Sequence, residues 1–138
     1  MARYIVGPVV LVALLAIVMG FVRLAPSDPA DWHHMPEITP DMARADKLRG
    51  VLRQAETGPD GLARLAAVAL QTPRTVLLAG SVDEGMMTFV TRSRFWGFPD
   101  YTTARQDGDR LVIHARQRFG RSDLGVNRAR VERWLAAL

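Results

Sequence analysis

The chain has no cysteine, and a single lysine, Lys47, among its 18 basic residues. Without cysteine there is no disulfide framework, no thiolate nucleophile and no cysteine metal site. The same absence leaves the compartment open, because a cysteine-free chain is stable in either redox setting. The positive charge is almost all guanidinium, a planar group that binds anions bidentately where an ammonium does not. A complete catalytic constellation is also missing. Ser122, Asp123 and His114 hold the letters of a triad, but no glycine elbow surrounds Ser122. The few carboxylates form no acid–base pair on a shared helical face, so a non-enzyme without a cofactor is expected. His33, His34 and Glu37 lack the i,i+4 spacing of metal ligands, and neighbouring histidines diverge on regular backbone. No metal is expected there, and the bland reading is a docked polar loop.

What is present begins with a long apolar run. Tyr4 to Val22 carries no charge and is bounded by Arg3 and Arg23. As a helix it spans about 28 Å, close to a hydrocarbon core of ~30 Å. Pro8 lies in the first turns, where a missing N–H matters least. The run exceeds the apolar region of a cleaved signal, and Gly20-Phe21-Val22-Arg23 is a poor cleavage sequence. Residues 1–23 therefore read as an uncleaved anchor. Arg3 and the α-amino group favour retention of the N-terminus in the cytoplasm. That predicts a single-pass protein of a bacterial inner membrane with a periplasmic C-terminal domain.

Residues 24–56 read as a proline-rich linker followed by an ambiguous segment. Pro26, Pro29, Pro36 and Pro40 forbid a continuous helix and disfavour a central strand. An extended spacer leaving the bilayer is expected, with Trp32 at the headgroup level. Thr39-Pro40-Asp41 is a fair helix start, but Gly50 interrupts. Val51 to Ala55 equally suits a short edge strand, so 41–56 stays unassigned.

From residue 57 the periodicities sharpen. Leu62, Leu65, Ala66 and Ala69 share one helical face, and Pro73 ends that helix. Strands are expected at Arg74–Gly80, Met86–Arg94, Tyr101–Arg105 and Arg110–Arg118, with Asp107-Gly108 as a hairpin signal. Val131, Trp134, Leu135 and Leu138 form a final apolar stripe, from which Arg128, Arg130 and Arg133 fall away. Ser122 and Asp123 are candidate N-caps, with Asn127 a second choice. The prediction for 57–138 is an α+β domain: about four antiparallel strands, covered by two amphipathic helices with Trp134 as the largest anchor.

The stretches "TRSRFWGFPDY", "RFGRSDLGVNRARVERWLAAL" and "LARLAAVALQTPRTV" resemble the bacterial family catalogued as domain-of-unknown-function 1499. The resemblance covers roughly residues 57–138. It implies the fold and a link to the membrane, since family members often carry a hydrophobic N-terminal segment. It implies no activity. The cysteine that many members carry before the first helix is absent here.

Charge is unevenly placed. Residues 24–85 hold six basic against nine acidic side chains, whereas residues 86–138 hold ten arginines against five acids. By strand parity Arg92 and Arg94 share a face, as do Arg116 and Arg118. With Arg121 and Ser122 in the following loop, these form the candidate site for an anionic group: a lipid headgroup phosphate or an acidic partner. The aromatic run "RFWGFPDY" reads as the plug of a sheet end. The expected partners are the bilayer and, in a second reading, an integral membrane complex to which the chain is an accessory subunit. Nucleic acid is not expected, given the anchor and the modest net charge of +4.

Overall fold

The computed structural model describes residues 2–38, 44–47 and 50–138, and the side chains of 6–38 and 50–138. Helix α1 (Ala2–Leu24) is followed by the single turn α2 (Pro29–Trp32) and the strands β1 (Arg44–Lys47) and β2 (Gly50–Glu56). Then come α3 (Gly61–Gln71), β3 (Thr75–Ser81), β4 (Met86–Arg92), β5 (Pro99–Asp107), β6 (Arg110–Gln117) and α4 (Val126–Ala136). Among the described residues the strands form one antiparallel sheet, in the order β1-β2-β6-β5-β4-β3.

The architecture is the expected α+β class, with six strands rather than four. The two additional strands come from the segment left unassigned. Strand β2 is not an edge: it lies between β1 and β6, pairing Val51 with Ala115 and Arg53 with Ile113. The apolar alternation is interrupted there because Arg53, only 4% exposed, takes a core-facing position. Its Nε donates to Glu132 Oε1 of α4 at 2.8 Å, which makes a charged residue tolerable inside.

Helices α3 and α4 cover one face. Leu62, Leu65, Ala66 and Ala69 of α3 are buried, as the helical period predicts. They meet Met87, Phe89, Ala104, Leu111, Ile113 and Ala115 from the sheet, with Val131 and Trp134 from α4. Trp134 is the anchor expected of it. Its ring meets Phe89 edge-on at 6.1 Å, and its Nε1 donates to Thr72 Oγ1 at 2.8 Å. A buried indole needs such an acceptor.

The other face carries the main departure from expectation. Its centre is covered rather than open to solvent, and the segment after α1 is not a free spacer. Asp28 caps the turn α2 by accepting from Ala30 N at 2.9 Å. The chain from Ala25 to His33 then lies as a strap across the outer face. Trp32 stacks on Tyr101 with centroids 3.7 Å apart and planes 10° from parallel. Ser27 Oγ lies 2.7 Å from the Tyr101 hydroxyl, and His33 Nδ1 lies 2.9 Å from Thr88 Oγ1. Gly80, at φ 85°, makes room for the strap, since a Cβ there would sit 2.7 Å from His33 Cε1. Prolines forbid a helix or ladder, but they do not forbid docking through side chains and carbonyls.

Helix α1 stands apart from this body. Val6–Leu24 is long and apolar enough to cross a membrane, and only 6% of that window is buried. Its last turn joins the domain, for Val22 and Ala25 are buried while Phe21 and Leu24 are exposed.

Candidate functional site

The structure divides the predicted anionic-group set into three. Arg116 and Arg118 serve the strap. Arg116 donates to the Trp32 carbonyl and, at 3.4 Å, to Thr103 Oγ1, and its guanidinium lies 5.4 Å from the Trp32 ring centroid. Burial lowers its pKa below the ordinary guanidinium value, because a guanidinium taken from water is penalised in its charged form. Arg118 donates to the Pro26 carbonyl at 2.6 Å and to the Tyr101 hydroxyl at 3.4 Å. These two side chains hold backbone that has no strand partner.

Arg121 and Ser122 lie in the exposed loop before α4. Ser122 Oγ accepts from Leu124 N at 3.2 Å. Asp123 does the capping: its two carboxylate oxygens accept from Gly125 N at 3.0 Å and Asn127 N at 2.9 Å. Burial works to raise the Asp123 pKa, but the bonds from Asn127 and Gly125 prevail and hold it below 3.8. The chain's own carboxylate thus occupies the start of α4. Arg130, expected to face away, is instead 5% exposed and bonded to Asn127 Oδ1 at 2.8 Å and Asp100 Oδ2 at 3.0 Å. The motif around "SDLGVNRAR" therefore caps the helix and clamps it to β5. His114, the base of the notional triad, receives a bond from Arg116 Nη1 at 3.2 Å on the outer sheet face, away from that cap.

Arg92 and Arg94 belong to a third place. A cleft of about 440 Å³ opens on the outer face beside β3 and β4, at the foot of α1. It is lined by Arg23, Arg74, Arg92 and Arg94, together with Val76, Val90, Ser93 and Gly97. Sequence parity found Arg92 and Arg94. It missed Arg23, read only as the flank of the span, and Arg74, read only as the first residue of a strand.

Local structure explains how the four meet. Thr75 N donates to the Thr72 carbonyl at 3.2 Å across Pro73 and Arg74, closing a turn in which Arg74 has φ 62°. Proline suits the second position of such a turn and glycine the third. Arg74 holds the glycine place, in a conformation that costs an L-residue about 1 kcal/mol. Its Nε donates to the Arg92 carbonyl at 3.0 Å. Arg92 in turn donates through Nη1 to the Gly97 carbonyl at 3.0 Å. Gly97, at φ 74°, admits Arg23: an added Cβ would lie 2.7 Å from Arg23 Cγ. Arg23 Nη2 donates to the Phe95 carbonyl at 2.5 Å.

The aromatic loop beside the cleft only partly fits the expected plug. Phe95 is 66% exposed. Trp96, Phe98 and Phe119 are half-buried and form a row, with successive centroids 6.2 Å and 6.1 Å apart.

These features define a small α+β domain, strapped and arginine-rich on one face, that follows an apolar helix. The chain belongs to the family described as protein of unknown function, DUF1499, whose model matches residues 26–138. The match begins in the strap rather than at residue 57, and so takes in β1 and β2 as well. No curated protein matches the chain.

Proposed function

We propose that the chain is a single-pass membrane protein with its domain on the extracytoplasmic side, the periplasm of a bacterial inner membrane. There it acts as a non-catalytic binding or scaffolding module that engages anionic headgroups. One observation carries the reading: an apolar helix exposed along nearly its whole length runs without slack into a docked strap. The joint at Arg23 and Phe95 then keeps the arginine-bearing end of the sheet near the headgroups. Charge attraction at an anionic surface supplements the anchor by about 1 kcal/mol per nearby basic residue.

Carbonate washing of native membranes tests the anchor. The protein is expected to stay in the pellet, and a C-terminal reporter active only outside the cytoplasm is expected to report. Release into the wash, with the first two dozen residues removed, would overturn the reading. Native electrophoresis in mild detergent separates the independent module from an accessory subunit, since a discrete high-mass species marks the latter.

A further inference from the structure

We infer that the cleft formed by Arg23, Arg74, Arg92 and Arg94 is a phosphate-binding site, for the headgroup of an anionic phospholipid or for free phosphate. The lipid source rests on the membrane reading above; the phosphate chemistry does not. Three observations converge. First, four guanidiniums line one cleft that no carboxylate lines. Among the described residues none of the four forms an ion pair with a carboxylate, whereas Arg53, Arg64, Arg110 and Arg130 all do. Like charges brought together without counter-charge repel, and an anion relieves that repulsion. Second, Arg74 reaches the cleft from a left-handed backbone position, a strain that the turn itself does not require. Glycine would close the same turn without it.

Third, donors remain in surplus. A guanidinium carries five N–H donors. Arg23 spends Nη2 on the Phe95 carbonyl, Arg74 spends Nε on the Arg92 carbonyl, and Arg92 spends Nη1 on the carbonyls of Gly97 and Val22. These bonds fix the stems and leave other nitrogens for a ligand. Planar forks of this kind match phosphate oxygens in bidentate pairs. A volume of about 440 Å³ accommodates a phosphate with its attached glycerol, within the usual range for small-ligand sites. The exposed Phe95 beside the cleft offers an apolar surface for the part of a lipid next to its headgroup.

The test uses the full chain in maltoside micelles at ~0.15 M salt, where diffuse attraction is screened beyond about 8 Å. Calorimetric titration is run with inorganic phosphate and with dihexanoyl-phosphatidylglycerol. Saturable binding of one equivalent is expected. Tighter binding of the lipid assigns the headgroup as ligand, and equal or tighter binding of inorganic phosphate assigns the free ion. The Arg74→Gly, Arg94→Gln double variant is expected to bind at least about tenfold more weakly, as for the loss of charge-assisted bonds. Arg74→Gly alone removes the backbone strain, so its Tm should hold or rise while affinity falls. That combination separates a lost site from a lost fold. The charge-matched Arg110→Gln, Arg133→Gln pair should bind normally. Failure of the wild type to saturate with either probe, or equal weakening in the charge-matched pair, would overturn the site. A protein released by the carbonate wash that still binds inorganic phosphate would leave the site standing and remove only the lipid.

Discussion

At the scale of single residues, the polar interior decides more than the apolar one. Asp100 and Arg130 pair with side chains only 13% and 6% exposed. Burial raises the Asp100 pKa above 3.8, the Arg130 charge and hydrogen bond work against it, and the nearby Asp123 adds to the rise. Asp100 thus takes up its proton more readily folded than unfolded, and its titration removes stability as pH rises from 3.8 through the folded value. Asp123 works the other way. Its stabilising contribution is present above pH 3.8 and disappears as pH falls through its lower folded value. Asp100→Ala leaves the Arg130 guanidinium buried without its counter-ion, and is expected to cost about 3–5 kcal/mol in urea unfolding at neutral pH. In the same variant the decline just above pH 3.8 should vanish while the acid loss below it remains. A variant as stable as wild type would show that Arg130 finds another partner.

Among the elements, the helix layer and the strap were unequally legible. Strands β3 to β6 and helices α3 and α4 follow from period and turn residues, and the buried faces of α3, β4 and β6 are mostly apolar. Strand β2 hid behind Arg53, and the burial of Arg130 hid likewise, since an ion pair across two elements leaves no periodic trace in either. The strap was hidden for a different reason. Arg116 and Arg118 bind its carbonyls, and every residue has a carbonyl. The one readable anchor was Trp32, which reads equally as an interfacial aromatic. The four-arginine cleft was half legible: parity placed Arg92 and Arg94, but no local pattern joins Arg23 and Arg74 to them across the fold. If Trp32 holds the strap, Trp32→Ala should destabilise by about 3 kcal/mol, the low end for losing a large aromatic because the ring is only half-buried. Limited proteolysis should then cut between Ala25 and His34 before the sheet opens. Trp32→Phe, which retains a stacking ring, should resist cleavage. Cutting elsewhere first would place the strap's hold outside Trp32.

For the whole molecule, the decisive boundary lies between helix and strap, not between linker and domain. The family match from residue 26 and the contacts of Ser27, Trp32 and His33 put the strap inside the folding unit. The exposed flank of α1 puts most of that helix outside it. Two shortened chains separate the alternatives. One beginning at Val22 keeps the buried Val22, the Arg23 joint, the strap and every strand. It should stay in solution without detergent and melt in a single transition, with a Tm within a few degrees of the full chain, since the residues removed make little of the domain's core. One beginning at Thr57 lacks β1 and β2 and so bares the edge of β6, whose Leu111, Ile113 and Ala115 belong to the core. It also uncovers Tyr101 and Thr103 beneath the missing strap. An unpaired, apolar strand edge is a template for association, so this chain should aggregate or melt without cooperativity. Circular dichroism melts and sedimentation of the two chains side by side decide the matter. Equal, cooperative melting of both would show that the helix layer alone specifies the fold, and that the strap is an ornament of the sheet rather than its third layer.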